Sequence, residues 1–211
     1  MSKQYILMAD IVNSSETNAY YLMRDFKEFS FRINNKFRDD FLSPITITLG
    51  DEFQSIIRTL RSGIDIIISF EEAIIKDQKN FKLRYILNYG DIDTPINRDA
   101  AYGMLGPGFI EARKLLSELK DTRDRYLFQL ANPVLSEKLN LIFRLYQMII
   151  DGWQNKDYGL IGEFLADRDY KTVAEKLNKD RSLIWRREKS LKISEYFTAK
   201  NLIYKEIESH D

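Results

Sequence analysis

The chain has 211 residues, 44% hydrophobic and 13% aromatic, which is enough apolar side chain for one or two ordinary domains and excludes a globally disordered chain. Its 32 Lys and Arg balance 32 Asp and Glu, so total charge is silent about a polyanionic partner and only its distribution can speak. With no cysteine, disulfides, thiolate metal sites and cysteine nucleophiles are excluded.

Residues 5–12 (YILMADIV) form a short apolar run closed by Asn13-Ser14-Ser15, the pattern of a buried strand followed by a helix cap. Leu22, Phe26, Phe29, Ile33 and Phe37 recur at intervals of three and four, predicting a long helix over 16–41 that Pro44 breaks. Residues 45–49 (ITITL) alternate and are β-branched; with the Gly50-Asp51-Glu52 turn and 53–58 (FQSIIR) they predict a hairpin. A helix over 61–76, a strand over 81–89, a glycine- and proline-rich loop over 90–107, a helix over 108–119 and a strand over 125–130 follow. This order gives a sheet with helices packed on it, an α+β fold rather than a doubly wound parallel sheet.

After Pro133 the pattern is helical throughout, so we place a first domain at 1–132 and a second at 133–211. Helices are predicted over 134–153 and 158–166. Residues 170–178, a turn at Lys179-Asp180-Arg181 and 182–193 then follow the helix-turn-helix pattern. Val173, Ala174 and Leu177 are expected in the core, Ser182 as the cap of the second helix, and Leu183, Ile184 and Leu191 as its anchors. Between 171 and 192 stand eight basic and three acidic residues, a local balance of +5 in a neutral chain. Lys179, Arg181, Ser182, Trp185, Arg186 and Lys189 lie where a recognition helix meets a DNA groove, and DNA is the expected partner. Two alternatives stay open: a helical bundle whose basic face is only solvated, and Trp185 as a core residue.

Asp10 ends the first predicted strand, and Asp51 and Glu52 occupy the hairpin tip. If these elements are neighbours, the carboxylates converge at one sheet edge. Oxygen donors without Cys or His suit Mg²⁺, Mn²⁺ or Ca²⁺. Backbone N–H groups of Val12, Asn13, Ser14 and Ser15, opening the next helix, could take phosphate. The plain alternatives are a helix cap at Asp10 and an ordinary turn at 50–52. The Gly103, Gly106 and Gly108 spacing matches neither a P-loop nor a dinucleotide fingerprint.

Ala9-Asp10-Ile11-Val12 followed by Leu49-Gly50-Asp51-Glu52-Phe53-Gln54 resembles the nucleotidyl cyclase palm of class III cyclases and GGDEF diguanylate cyclases, over about residues 4–131. Nearly the whole chain resembles the SatD family of bacterial proteins, through Ala-Asp-Ile-Val-Asn-Ser-Ser at 9–15, Gly-Asp-Glu-Phe-Gln at 50–54 and Gly-Pro-Gly-Phe-Ile-Glu-Ala-Arg at 106–113. The resemblance implies a ferredoxin-like palm with a helix-turn-helix tail. It also implies Mg²⁺ or Mn²⁺ on Asp10 and Asp51, with the Ile11 carbonyl assisting and Glu52 as an additional candidate ligand. It implies a bound nucleotide, a homodimer, and Arg113 as a transition-state residue; the plain alternative for Arg113 is a surface pair with Glu111 or Glu118. The chain departs from cyclases in three places: Phe109 stands where they carry Asn, 45–49 holds no base-selecting Lys, and Leu49 replaces the first Gly of GGDEF.

Three functions follow as expectations: a DNA-binding regulator whose palm binds metal and nucleotide, a metal-dependent cyclase or other phosphoryl-transfer enzyme, and a protein–protein adaptor with a vestigial site. The first residues lack a signal-peptide pattern, and no uncharged apolar run approaches the ~20 residues of a membrane helix. A cytoplasmic protein without a membrane partner is therefore expected.

Overall fold

A computed structural model describes residues 2–12, 19–48 and 50–210. It falls into two compact units, one of residues 1–71 and 81–140, the other of 72–80 and 141–211.

Among the described residues the first unit holds one sheet of five strands: β1 (Ser2–Ile11), β2 (Phe41–Ile47), β3 (Glu52–Ile57), β4 (Leu83–Ile92) and β5 (Tyr126–Gln129), in the order β2-β3-β1-β4-β5. β1 pairs antiparallel with both β3 and β4, and β5 adds parallel to β4. With α1 (Ala19–Lys36) after β1 and α2 (Leu60–Lys76) after β3, the first four strands make the ferredoxin-like split βαβ arrangement. The fold is α+β.

The central strand reads as an unbroken apolar run because both faces are covered: Ile6, Leu7, Met8 and Ala9 are at most 1% exposed. One face receives α1 and α2 through a ladder of rings, with Phe26 on Phe53 at 5.8 Å and Phe53 on Phe70 at 5.3 Å. The other face receives α3 (Pro107–Leu119), whose Phe109, Ala112 and Leu116 pack with Ile6, Met8, Ile56 and Ile86.

The helix expected over 16–41 ends at Lys36, and β2 starts at Phe41 with Pro44 inside it. Proline is tolerated there because β2 is an edge strand whose register shifts on both sides of Ser43. The Asn34 side chain supplies what a neighbouring strand would: Nδ2 donates to Ile45 O at 2.9 Å and Oδ1 accepts from Ile45 N at 2.8 Å.

The second unit is helical. α4 (Pro133–Ile150) and α2 contribute residues to both units. α5 (Tyr158–Ala166), α6 (Tyr170–Lys176), α7 (Arg181–Ser190) and α8 (Ile193–Glu208) belong to the second alone. α8 adds a helix beyond the expected ones, and its Ile193, Tyr196, Ala199, Ile203 and Ile207 recur at helical spacing and are all buried. Tyr196 centres this core, between Tyr146 at 5.4 Å and Trp153 at 5.2 Å, and Trp153 Nε1 donates to Leu191 O at 2.7 Å. No helix among the described residues is long and apolar enough to cross a membrane.

Candidate functional site

Period-two alternation decides which side chains meet at the end of the sheet. Glu52 of β3 and Arg84 of β4 both lie directly opposite Asp10 of β1. Opposed residues of antiparallel strands share a face, so the three stand in one row on the side covered by α3. Asp51 joins this end through its backbone, its carbonyl accepting from Ile11 N at 3.0 Å.

The row is charged and largely buried. Asp10 is 2% exposed. Arg84 Nη1 lies 3.0 Å from each oxygen of Asp10, and Lys120 Nζ, just past the end of α3, lies 2.9 Å from Oδ2. Arg113, seven residues earlier and so on the same side of α3, places Nη2 2.9 Å from Glu52 Oε1. Arg113 thus pairs with the sheet rather than with Glu111 or Glu118. Burial pushes the Asp10 carboxyl above its ordinary range; the Lys120 hydrogen bond and the charges of Arg84 and Lys120 oppose this, while the Asp51 charge adds to it.

The structure therefore brings Asp10, Asp51, Glu52 and Arg113 to one end of the sheet, together with two cations that sequence reasoning missed. Arg84 sits in an alternating strand pattern that gives no hint of its strand partner, and Lys120 follows a helix end. As arranged, this donor set does not fit a divalent cation. Both oxygens of Asp10 already face N–H donors, and no group of three His, Asp or Glu among the described residues is gathered for a metal. The Val12 N–H donates to Lys82 O at 2.9 Å. Asn13, Ser14 and Ser15 lie outside the described residues.

In the helical unit, α6 ends where Asn178 takes φ +50°, and the chain re-enters a helix at α7. The cap of α7 is Asp180, not Ser182. Asp180 accepts from Leu183 N at 3.0 Å, and the Ser182 hydroxyl donates to it at 2.6 Å. These bonds, Ser182 first, hold the Asp180 carboxyl below its ordinary range. Ile184 and Leu191 are buried as expected, whereas Leu183, expected beside them as an anchor, is 43% exposed. Val173 and Ala174 are buried, and Leu177 is half-buried.

The opposite face of α7 presents Arg181, Ser182, Trp185, Arg186 and Lys189 to solvent, with Lys179 exposed in the turn before it. Trp185 is 46% exposed, so it is not a core residue. Arg181 pairs with Glu175 on α6, and Arg187 turns inward to Asp157 at 2.5 Å.

The SatD family model matches residues 5–207. The chain belongs to the SatD family. Two chains of solved structures, both described as a bacterial light-regulated adenylyl cyclase, are similar to this SatD-family protein at TM-scores of 0.44 and 0.43 and 16% identity. Each match covers 60% of this chain and 42% of the other, so the protein spans less than half the length of those relatives. No curated protein matches the chain.

Proposed function

We propose that this SatD-family protein is a DNA-binding regulator that contacts duplex DNA through α7 and the turn before it. The observation that carries the reading is the division of α7. Ile184 and Leu191 are buried, Arg187 faces inward, and the exposed side holds Arg181, Arg186 and Lys189 around an exposed Trp185. The short turn after α6 and the Asp180 cap start this helix so that its basic side faces solvent. In this reading Arg and Lys on such a face would neutralise phosphates, and the exposed Ser182 and Trp185 would reach base edges.

Trp153 is 5% exposed and Trp185 46%, so intrinsic fluorescence reports α7 directly. Titrating duplex DNA should quench Trp185. Four phosphate contacts would weaken binding ~100-fold between 50 and 200 mM salt. Quenching that is absent, or that salt does not weaken, removes the regulator reading.

The rival reading, a metal-dependent cyclase or other phosphoryl-transfer enzyme, requires Asp10 to leave both Arg84 and Lys120 before it could hold a cation. Arg84 is 9% exposed and has Asp10 as its carboxylate partner, so that release would strand a buried charge. We therefore favour DNA binding.

A further inference from the structure

We infer that Arg84 and Lys120 are built-in counter-ions that make Asp10 a structural carboxylate, so that the acidic end of the sheet holds together without a divalent cation. The strand register leaves little freedom. Arg84 faces Asp10 across the β1–β4 ladder, and its Nη1 is equidistant, at 3.0 Å, from the two carboxylate oxygens. With Arg84 9% exposed, the guanidinium lies within the protein rather than in water, so the pair is fixed by packing as well as by charge. Lys120 completes the arrangement from the other direction, its Nζ 2.9 Å from Oδ2.

The neighbouring acid is treated in the same way. Glu52 receives Arg113 at 2.9 Å, and the Thr48 hydroxyl stands 3.4 Å from the same oxygen. Across the group, Asp10 is matched by Arg84 and Lys120 and Glu52 by Arg113, so each of these two acids has a cation from the chain itself. Acids grouped on a sheet end repel one another unless cations neutralise them, and here the chain supplies those cations from β4 and α3. A divalent ion would have to displace two N–H donors from Asp10, the Arg84 guanidinium and the Lys120 ammonium. Mg²⁺, which demands near-octahedral oxygen coordination, gains nothing there to offset that loss.

The test uses the full chain, labelled with ¹⁵N, and Mn²⁺ as the probe. The inference expects the amides of 8–11 and 83–85 to keep the same intensity as amides elsewhere while Mn²⁺ is raised to millimolar levels. It also expects Mg²⁺ to shift the unfolding temperature by less than about 1 °C, where a site filled a hundredfold over its dissociation constant would shift it by ~5–10 °C. Saturable broadening centred on those amides, abolished by Asp10→Asn, would overturn it. A second arm needs no metal. Asp10→Leu alone strands Arg84 and should lower the unfolding temperature, and adding Arg84→Leu should recover most of that loss. A neutral effect of Asp10→Leu, or no recovery in the double variant, also overturns it.

Discussion

Gly90 of β4 and Gly108 of α3 lie backbone against backbone: a Cβ built on Gly90 would stand 2.6 Å from Gly108 Cα, and one on Gly108 would stand 2.8 Å from Gly90 C. The first turn of α3 is thereby laid onto the sheet, where Asn88 Nδ2 donates to Gly108 O at 3.0 Å. Glycine at 108 thus serves close packing of helix on strand, which accounts for this part of the glycine-rich stretch without a ligand. Gly108→Ala should destabilise the first unit by ~1–3 kcal/mol through overpacking. A urea midpoint unchanged from wild type would show that α3 can lift away freely.

Glu71 and Arg125 form a second buried pair, with side chains 7% and 6% exposed. Arg125 Nη1 and Nη2 reach the two Glu71 oxygens at 2.9 and 3.0 Å, and Nη1 also donates to Leu83 O at 2.6 Å. This fork ties the start of β5 to α2. Glu71→Ala leaves the guanidinium buried without its carboxylate and should cost about 3–5 kcal/mol. Glu71→Ala combined with Arg125→Met should cost less than the single change, as read from denaturant midpoints.

In the helical unit, Glu72 Oε1 accepts from the Tyr196 hydroxyl at 2.9 Å and from Lys200 Nζ at 2.5 Å. Burial pushes the Glu72 carboxyl up, but the bonds and charges of Lys200, Tyr196 and Lys76 together outweigh it and set it below the ordinary 4.5. An acid with a depressed folded value binds protons more readily when unfolded. Its stabilisation is therefore complete above the unfolded value and is lost as pH falls through the folded one. Urea midpoints should drop below about pH 4.5 in wild type, and the drop should be shallower in Glu72→Gln. Identical pH profiles for the two proteins would refute the assignment.

On α7, Arg186 and Lys189 should behave unlike Arg187. Replacing either of the first two with Ala should reduce the salt slope of DNA binding by ~0.9 and leave thermal stability unchanged. Arg187→Ala removes the inward bond to Asp157 at 2.5 Å and should lower stability first. Equal effects of all three on DNA affinity would mean that charge alone, rather than the face of the helix, governs binding.

Much of this architecture was legible because local periodicity and burial agree. The apolar run of β1 and the i, i+3, i+4 spacing of α1 each predict one element, and each element is present, whereas Glu52, expected in the turn, already belongs to β3. Pro44 misled because a breaker inside one chain segment cannot reveal that its strand lies at a sheet edge, where a missing N–H is harmless. Ser182 has the residue type of a cap. Asp180, two positions earlier, serves instead because its backbone, at φ −60° and ψ 131°, is extended just before the helix begins. The stripe of α8, Ile193, Tyr196, Ala199, Ile203 and Ile207, is readable in the sequence.

The sequence alone determined the α+β order of the first unit, the helix-turn-helix spacing of α6 and α7 and the charge excess along them, because these depend on neighbours a few residues apart. Only the tertiary structure decided what surrounds Asp10. Its partners are 74 and 110 positions away, Arg84 by strand register and Lys120 by the docking of α3. A carboxylate's chemistry is set by the charges within a few ångströms of it, and no local pattern in a chain records which distant residues those will be.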